Sequence, residues 1–149
     1  MKAEDPTKSI LSNLGIEHLN KMQVAARNAI TKSRNILLLS PTGSGKTLGF
    51  LLPVYQLLDE HVPGVQCLIV VPSRELALQI EQVWRKMGTR FKVNACYGGH
   101  SIETELNNLS NPPAVLIGTP GRLRDHLERN SFDTGSIKTL VLDEFDKSL

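Results

Sequence analysis

Residues 36–47 read Ile36-Leu37-Leu38-Leu39-Ser40-Pro41-Thr42-Gly43-Ser44-Gly45-Lys46-Thr47. An apolar run of strand length ends in a glycine-bearing loop that opens directly onto a helical pattern, and a loop of this build cradles phosphate. Gly43 and Gly45 let the backbone curl so that successive N–H groups point inward, while the start of the next helix adds partial positive charge. Lys46 is placed to reach terminal phosphates, Thr47 to hold Mg²⁺, and Thr42 and Ser44 complete the loop. The general pattern G-x-x-x-x-G-K-[ST] begins with glycine where this chain has Ser40. The strand before the loop and the helix after it make up for that departure.

Working outward, short apolar runs alternate with longer stretches of helical period. Strands are expected at 36–40, 67–71, 93–97, 114–118 and 139–142, all nearly continuous in apolar character, as in strands buried on both faces. Helices are expected at 47–58, 74–87, 101–109 and 121–129. In the second, Leu76, Ile80, Val83 and Met87 recur at three- and four-residue steps and mark the face that packs on the sheet. The pattern predicts an α/β fold with a mostly parallel sheet flanked by helices, joined by right-handed crossovers. Before the first strand, Ile10, Leu11 and Leu14, then Met22, Ala25, Ala26 and Ile30, predict a small helical lead-in over residues 1–34, so the α/β part covers 35–149.

Composition removes several function classes. Of 149 residues, 40% are apolar and 21% charged, which suits one ordinary soluble domain rather than a disordered chain. Its apolar runs fall far short of the roughly 20 residues a membrane-spanning helix needs. The charged start Met1-Lys2-Ala3-Glu4-Asp5-Pro6 leads into no apolar signal core, so a cytoplasmic location is expected. Cys67 and Cys96 lie inside apolar runs and read as buried free thiols, not a disulfide framework. A net charge of +2 decides nothing about nucleic acid, because a local stripe of Arg and Lys matters more than the total. The four histidines show no metal-ligand spacing, and Trp84 and Tyr97 read as core rather than stacking platforms.

Leu140-Val141-Leu142-Asp143-Glu144-Phe145-Asp146 is an apolar strand ending in acids. Carboxylates at the carboxyl end of a parallel strand stand on the edge where ligands bind. Beside a nucleoside triphosphate, Asp143 would hold Mg²⁺ and Glu144 would orient or deprotonate the attacking water.

Taken together, these residues resemble the first RecA-like domain of a DEAD-box ATP-dependent RNA helicase of superfamily 2. Gly15 followed by Gln23 resembles the Q motif, Pro72-Ser73-Arg74-Glu75-Leu76 the P-T-R-E-L motif, Gly98-Gly99 the paired glycines and Thr119-Pro120-Gly121-Arg122 the T-P-G-R motif. Asp143-Glu144-Phe145-Asp146 stands where D-E-A-D would. The matches run in family order over nearly the whole chain. The resemblance implies ATP and Mg²⁺ as cofactors, Gln23 reading adenine, and Lys46, Asp143 and Glu144 as the catalytic set. It implies RNA bound largely through its backbone by Pro72, Arg74, Gly98, Gly99, Thr119, Gly121 and Arg122, with little sequence preference. Arg74-Glu75 also reads simply as the start of a helix, and Thr119-Pro120 as an N-cap with proline at the first helical position.

The chain departs from the family pattern at three places. Leu19-Asn20 stand where Pro-Thr is usual, and no aromatic precedes Phe50 to pack on adenine, so weakened ATP affinity is expected. Phe145 replaces alanine, which spares Asp143 and Glu144 but is expected to crowd a neighbouring helix or strand and disturb coupling through Asp146. The resemblance also implies a central Ser-Ala-Thr strand and a second RecA-like domain bearing arginine fingers. The expectation is therefore an incomplete first domain of a longer chain, nearly inactive alone and needing no oligomer. The rival classes are a DNA-directed superfamily 2 ATPase and a non-enzymatic fragment that binds nucleotide or a partner.

Overall fold

The computed structural model describes residues 4–99 and 101–148. They fall into two units, one running to Leu57 and including Lys86–Gly88, the other comprising Leu58–Arg85 and the chain from Thr89 onward.

The first unit is helical. Helix α1 (Pro6–Asn13) starts where the Asp5 carboxylate accepts a bond from the Thr7 N–H at 3.0 Å, with Pro6 in the first turn. Helix α2 (Lys21–Ile30) opens with a capping box in which Asn20 and Gln23 each bond the other's backbone N–H. Helix α3 (Lys46–Leu57) buries Leu48, Leu51, Leu52 and Val54. Gly49 of α3 lets α2 come close: a Cβ there would stand 2.9 Å from the Met22 sulfur. The expected strand at 36–40 does not form. A parallel strand exists only by pairing, and no described strand pairs with this run, which leaves Leu37 66% and Leu39 78% exposed. The lead-in expected at 1–34 holds α1 and α2.

The second unit is a four-stranded parallel sheet in the order β2-β3-β1-β4. Its strands are β1 (Cys67–Val70), β2 (Val93–Cys96), β3 (Val115–Gly118) and β4 (Thr139–Leu142), all within the expected runs. The helices between them, α4 (Arg74–Met87, whose last two residues belong to the first unit), α5 (Ile102–Leu109) and α6 (Pro120–Glu128), also match expectation to within a residue at each end. From β1 to β2 the chain moves one way across the sheet, and from β2 to β3 and β3 to β4 it moves back. Right-handed crossovers then place α4 on one face and α5 and α6 on the other. Accordingly Leu109 of α5 and Leu123 of α6 share a core with Cys96, Leu116, Leu68 and Val70.

Two expectations about burial are corrected. The buried stripe of α4 is Ala77, Ile80, Trp84 and Met87, while Leu76 and Val83 are only half-buried. The stripe turns toward Trp84 because its indole N–H finds the Phe91 carbonyl at 3.0 Å, which allows the largest side chain to be covered. Strand β4 is not buried on both faces: it lies at the sheet edge with Leu140 59% and Leu142 53% exposed. Cys67 and Cys96 are buried free thiols, as expected.

Candidate functional site

In the first unit, the loop from Pro41 to Gly45 turns through two left-handed glycines, Gly43 at φ +80° and Gly45 at φ +82°. That conformation favours glycine and turns successive N–H groups toward one side. Gly43 is exposed, and a Cβ there would meet nothing within 4 Å, so its glycine is required by the backbone conformation and not by crowding. Lys46 and Thr47 follow as the half-buried first turn of α3, where the helix dipole favours an anion. The residues thus fit a phosphate with its counter-cation: backbone donors, an ammonium and a hydroxyl in one turn. Ser40 and Ser44 join their hydroxyls in a hydrogen bond across the loop.

Helix α2 holds the loop from one side. Asn20 Nδ2 donates to the Ser44 carbonyl at 2.8 Å and Gln23 Nε2 donates to the Gly45 carbonyl at 3.0 Å. Gln23, buried, also accepts from the Asn20 N–H at 3.0 Å. Gln23, expected only to read a base, is therefore a clasp on the loop, with both ends of its amide engaged. Asn20 is a loop contact that sequence reasoning missed; the N-x-x-Q spacing signals the cap but not the reach to Ser44. A concavity of about 590 Å³ beside α1, lined by Lys8, Leu11, Ser12, Gly15, Ile16 and Glu17, contains none of the expected binding residues.

In the second unit, all four strands run parallel and in register, so the loops leaving their carboxyl ends share one rim. After β4, Asp143 is buried and its N–H bonds the Val70 carbonyl at 3.0 Å. Glu144 takes φ +49°, a left-handed conformation uncommon for a side chain this size, and pairs with Lys147 at 3.4 Å. Such strain persists where surrounding structure holds a side chain in a set direction. Phe145 heads α7 (Phe145–Ser148) and is 42% exposed, so among the described residues it does not crowd a neighbouring helix or strand as expected; Asp146 is exposed beside it.

Along the same rim, Pro72 and Ser73 lead into Arg74, the exposed first residue of α4. Gly99 lies against it: a Cβ at Gly99 would stand 3.0 Å from Arg74 Cδ and 3.2 Å from the Tyr97 ring. Gly98 and Gly99 are exposed. Thr119 is the N-cap of α6 with Pro120 in its first turn, as its sequence suggested, yet its hydroxyl makes no capping bond. Gly121 is exposed with open space where a Cβ would be. The structure therefore brings Arg74 and Gly99 together and sets Thr119, Gly121 and Arg122 in one helical turn.

Behind Arg122 is a cluster that sequence reasoning missed. Glu105, 1% exposed, accepts from Arg122 Nε at 2.9 and 3.1 Å and lies 2.9 Å from His126 Nε2. Cys96 also bonds to it, and burial together with the Glu105 charge pushes that thiol up to about 12. His126 Nδ1 meets the Ser131 hydroxyl at 3.0 Å. Cys96, Glu105 and His126 have ligand atoms close enough for a metal ion. The Arg122 guanidinium already supplies the cation to that carboxylate, and imidazole and carboxylate are in direct hydrogen-bond contact. The set reads as a closed polar network. Its signal in the sequence was a charge at 105 on the apolar stripe of Ile102 and Leu109.

The sequence profile described as DEAD/DEAH box helicase matches residues 20–149. The chain belongs to this family. DEAD-box relatives include the ATP-dependent RNA helicase DeaD of Escherichia coli, 37% identical over 147 residues. The ATP-dependent RNA helicase CshA of Limosilactobacillus reuteri is 35% identical over the same length. Each match covers 97% of this DEAD-box chain, which spans only 23% of the DeaD relative and 30% of the CshA relative. A solved structure, described as a hypothetical ATP-dependent RNA helicase from Sulfolobus tokodaii, superposes with a TM-score of 0.83 at 27% identity. It is covered over 42% of its length by 97% of this chain, and the fold is RecA-like α/β.

Proposed function

We propose that this chain is the ATP-binding part of an ATP-dependent RNA helicase, with residues 35–149 its first RecA-like domain and 1–34 the lead-in that carries the Q motif. The observation that carries this reading is the turn at Gly43 and Gly45 entering α3 at Lys46, in a chain of the DEAD/DEAH box family. Thr42 to Gly45 would line the triphosphate with backbone N–H groups, and Lys46 would reach its terminal phosphates. Mg²⁺ would be held by Thr47 and Asp143, and when bound it neutralises charge on the transferring phosphoryl group. Glu144 orients and deprotonates water; its left-handed backbone sets the direction in which the side chain leaves the chain, and Lys147 pairs with its carboxylate. Gln23 selects adenine by exchanging its loop partners for the base edge, which ties base recognition to the shape of the phosphate loop.

Pro72, Arg74, Gly98, Gly99, Thr119, Gly121 and Arg122 form the RNA-facing rim, with backbone donors and guanidinium groups directed at sugar and phosphate rather than base. A second RecA-like domain in the same polypeptide would add arginine fingers, a contribution on the order of 10³ to 10⁵ in rate. Two buried free thiols agree with a cytoplasmic protein. In the full-length protein, Glu144→Gln is expected to keep ATP affinity and lose RNA-stimulated hydrolysis. Wild-type turnover in that variant would remove Glu144 from the mechanism. Equal stimulation by DNA would point to a DNA-directed ATPase instead, because a site reading 2′-hydroxyls prefers RNA.

A further inference from the structure

Three donors from two elements converge on the Glu105 carboxylate. Arg122 and His126 come from the first and second turns of α6, and Cys96 ends β2 just before Gly98-Gly99. Glu105 itself lies in the first turn of α5, directly after that glycine loop. The Thr119 N–H adds a backbone link, donating to the Cys96 carbonyl at 3.2 Å. One carboxylate thus stands behind both the Gly98-Gly99 loop and the head of α6.

Stability alone gives a weak reason for this arrangement, since well-packed apolar residues commonly replace a buried ion pair without loss. A planar guanidinium held through Nε by both oxygens of a buried carboxylate, however, has one orientation instead of many. We propose that Glu105 is a positioning residue for RNA: it fixes Arg122 and braces the two rim loops, so that the strand meets a preset surface. This rests on the RNA reading given above.

The test uses the full-length protein and a fluorescent single-stranded oligoribonucleotide, with anisotropy for RNA affinity and separate measurement of ATP KM, kcat at saturating RNA and melting temperature. Glu105→Gln keeps the shape and drops the charge. It should weaken RNA binding about tenfold, the loss expected from misplacing one charge-assisted hydrogen bond, with ATP KM unchanged. Arg122→Lys keeps the positive charge without the two-oxygen grip and should weaken RNA binding similarly. The two changes together should be far less than additive, because they break one device. Phe132→Leu, in the same core but outside the polar network, should lower the melting temperature and leave RNA affinity intact.

Wild-type RNA affinity in Glu105→Gln, or in Arg122→Lys should the first variant not fold, overturns the proposal. So does an RNA loss in Phe132→Leu that matches its loss of stability. If the wild-type protein binds single-stranded DNA in place of RNA, the RNA reading fails, while a Glu105→Gln loss on DNA still upholds the positioning role. Binding of neither strand overturns both.

Discussion

Gly45 carries two constraints at once, a left-handed backbone and the Gln23 amide where a Cβ would stand, 2.5 Å away. Gly45→Ala is therefore expected to lower stability by more than about 1 kcal/mol and to weaken nucleotide binding, read by urea unfolding and by titration with a fluorescent nucleotide. Glycine at this position was legible from its spacing to Lys46. The clasp by Asn20 was not, because a cap residue's second bond depends on what the fold brings opposite it. The partners of Glu105 were hidden for the same reason: its place on the Ile102 and Leu109 stripe marks a carboxylate facing inward, but only the fold brings Arg122 and His126 beside it. The thiols give a pH prediction. Burial raises both Cys67 and Cys96 from an ordinary value of 9.0 to about 12. The folded state therefore binds these protons more tightly, so stability is full below pH 9.0 and declines as pH rises toward about 12. Urea midpoints measured from below pH 9.0 up toward about 12 should fall with rising pH, and fall less in a Cys67→Ala variant.

Among the elements, α4 is the one whose existence was clearest from the sequence and whose facing was misjudged by one position. Counting apolar residues favours Leu76 and Val83, but burial went to Ala77 and Trp84 because the indole N–H has a carbonyl waiting at Phe91. Trp84→Ala is expected to cost about 3–5 kcal/mol, measured by denaturant unfolding, since it removes a fully buried ring and its bond to that carbonyl. The run at 36–40 shows the opposite failure. Its composition is that of a strand, yet a strand is a property of a pair, and apolar content alone supplies no partner. The phosphate loop keeps its turn all the same, through Gly43, Gly45 and the α2 clasp, so the element most needed for binding does not depend on the strand before it.

Across the molecule, apolar surface is concentrated at Ile36, Leu37 and Leu39 and, separately, along β4 at Leu140 and Leu142. An uncovered apolar sheet edge invites association. The 149-residue chain is expected to bind a hydrophobic dye and to self-associate in light scattering, and Leu142→Lys to reduce both without lowering its melting temperature. The α/β class and the placing of the second unit's strands were legible because each strand is a short unbroken apolar run between helical stretches; the exposure of β4 was not, since edge position follows from strand order. That order bears on kinetics as well. The central strand β1 pairs with β3 and β4, neither of which follows it directly in the chain. During synthesis β1 must wait, unpaired, while α4, β2 and α5 are made. Refolding of this unit should accordingly be slow, in milliseconds to seconds, with the rim among the last features to appear.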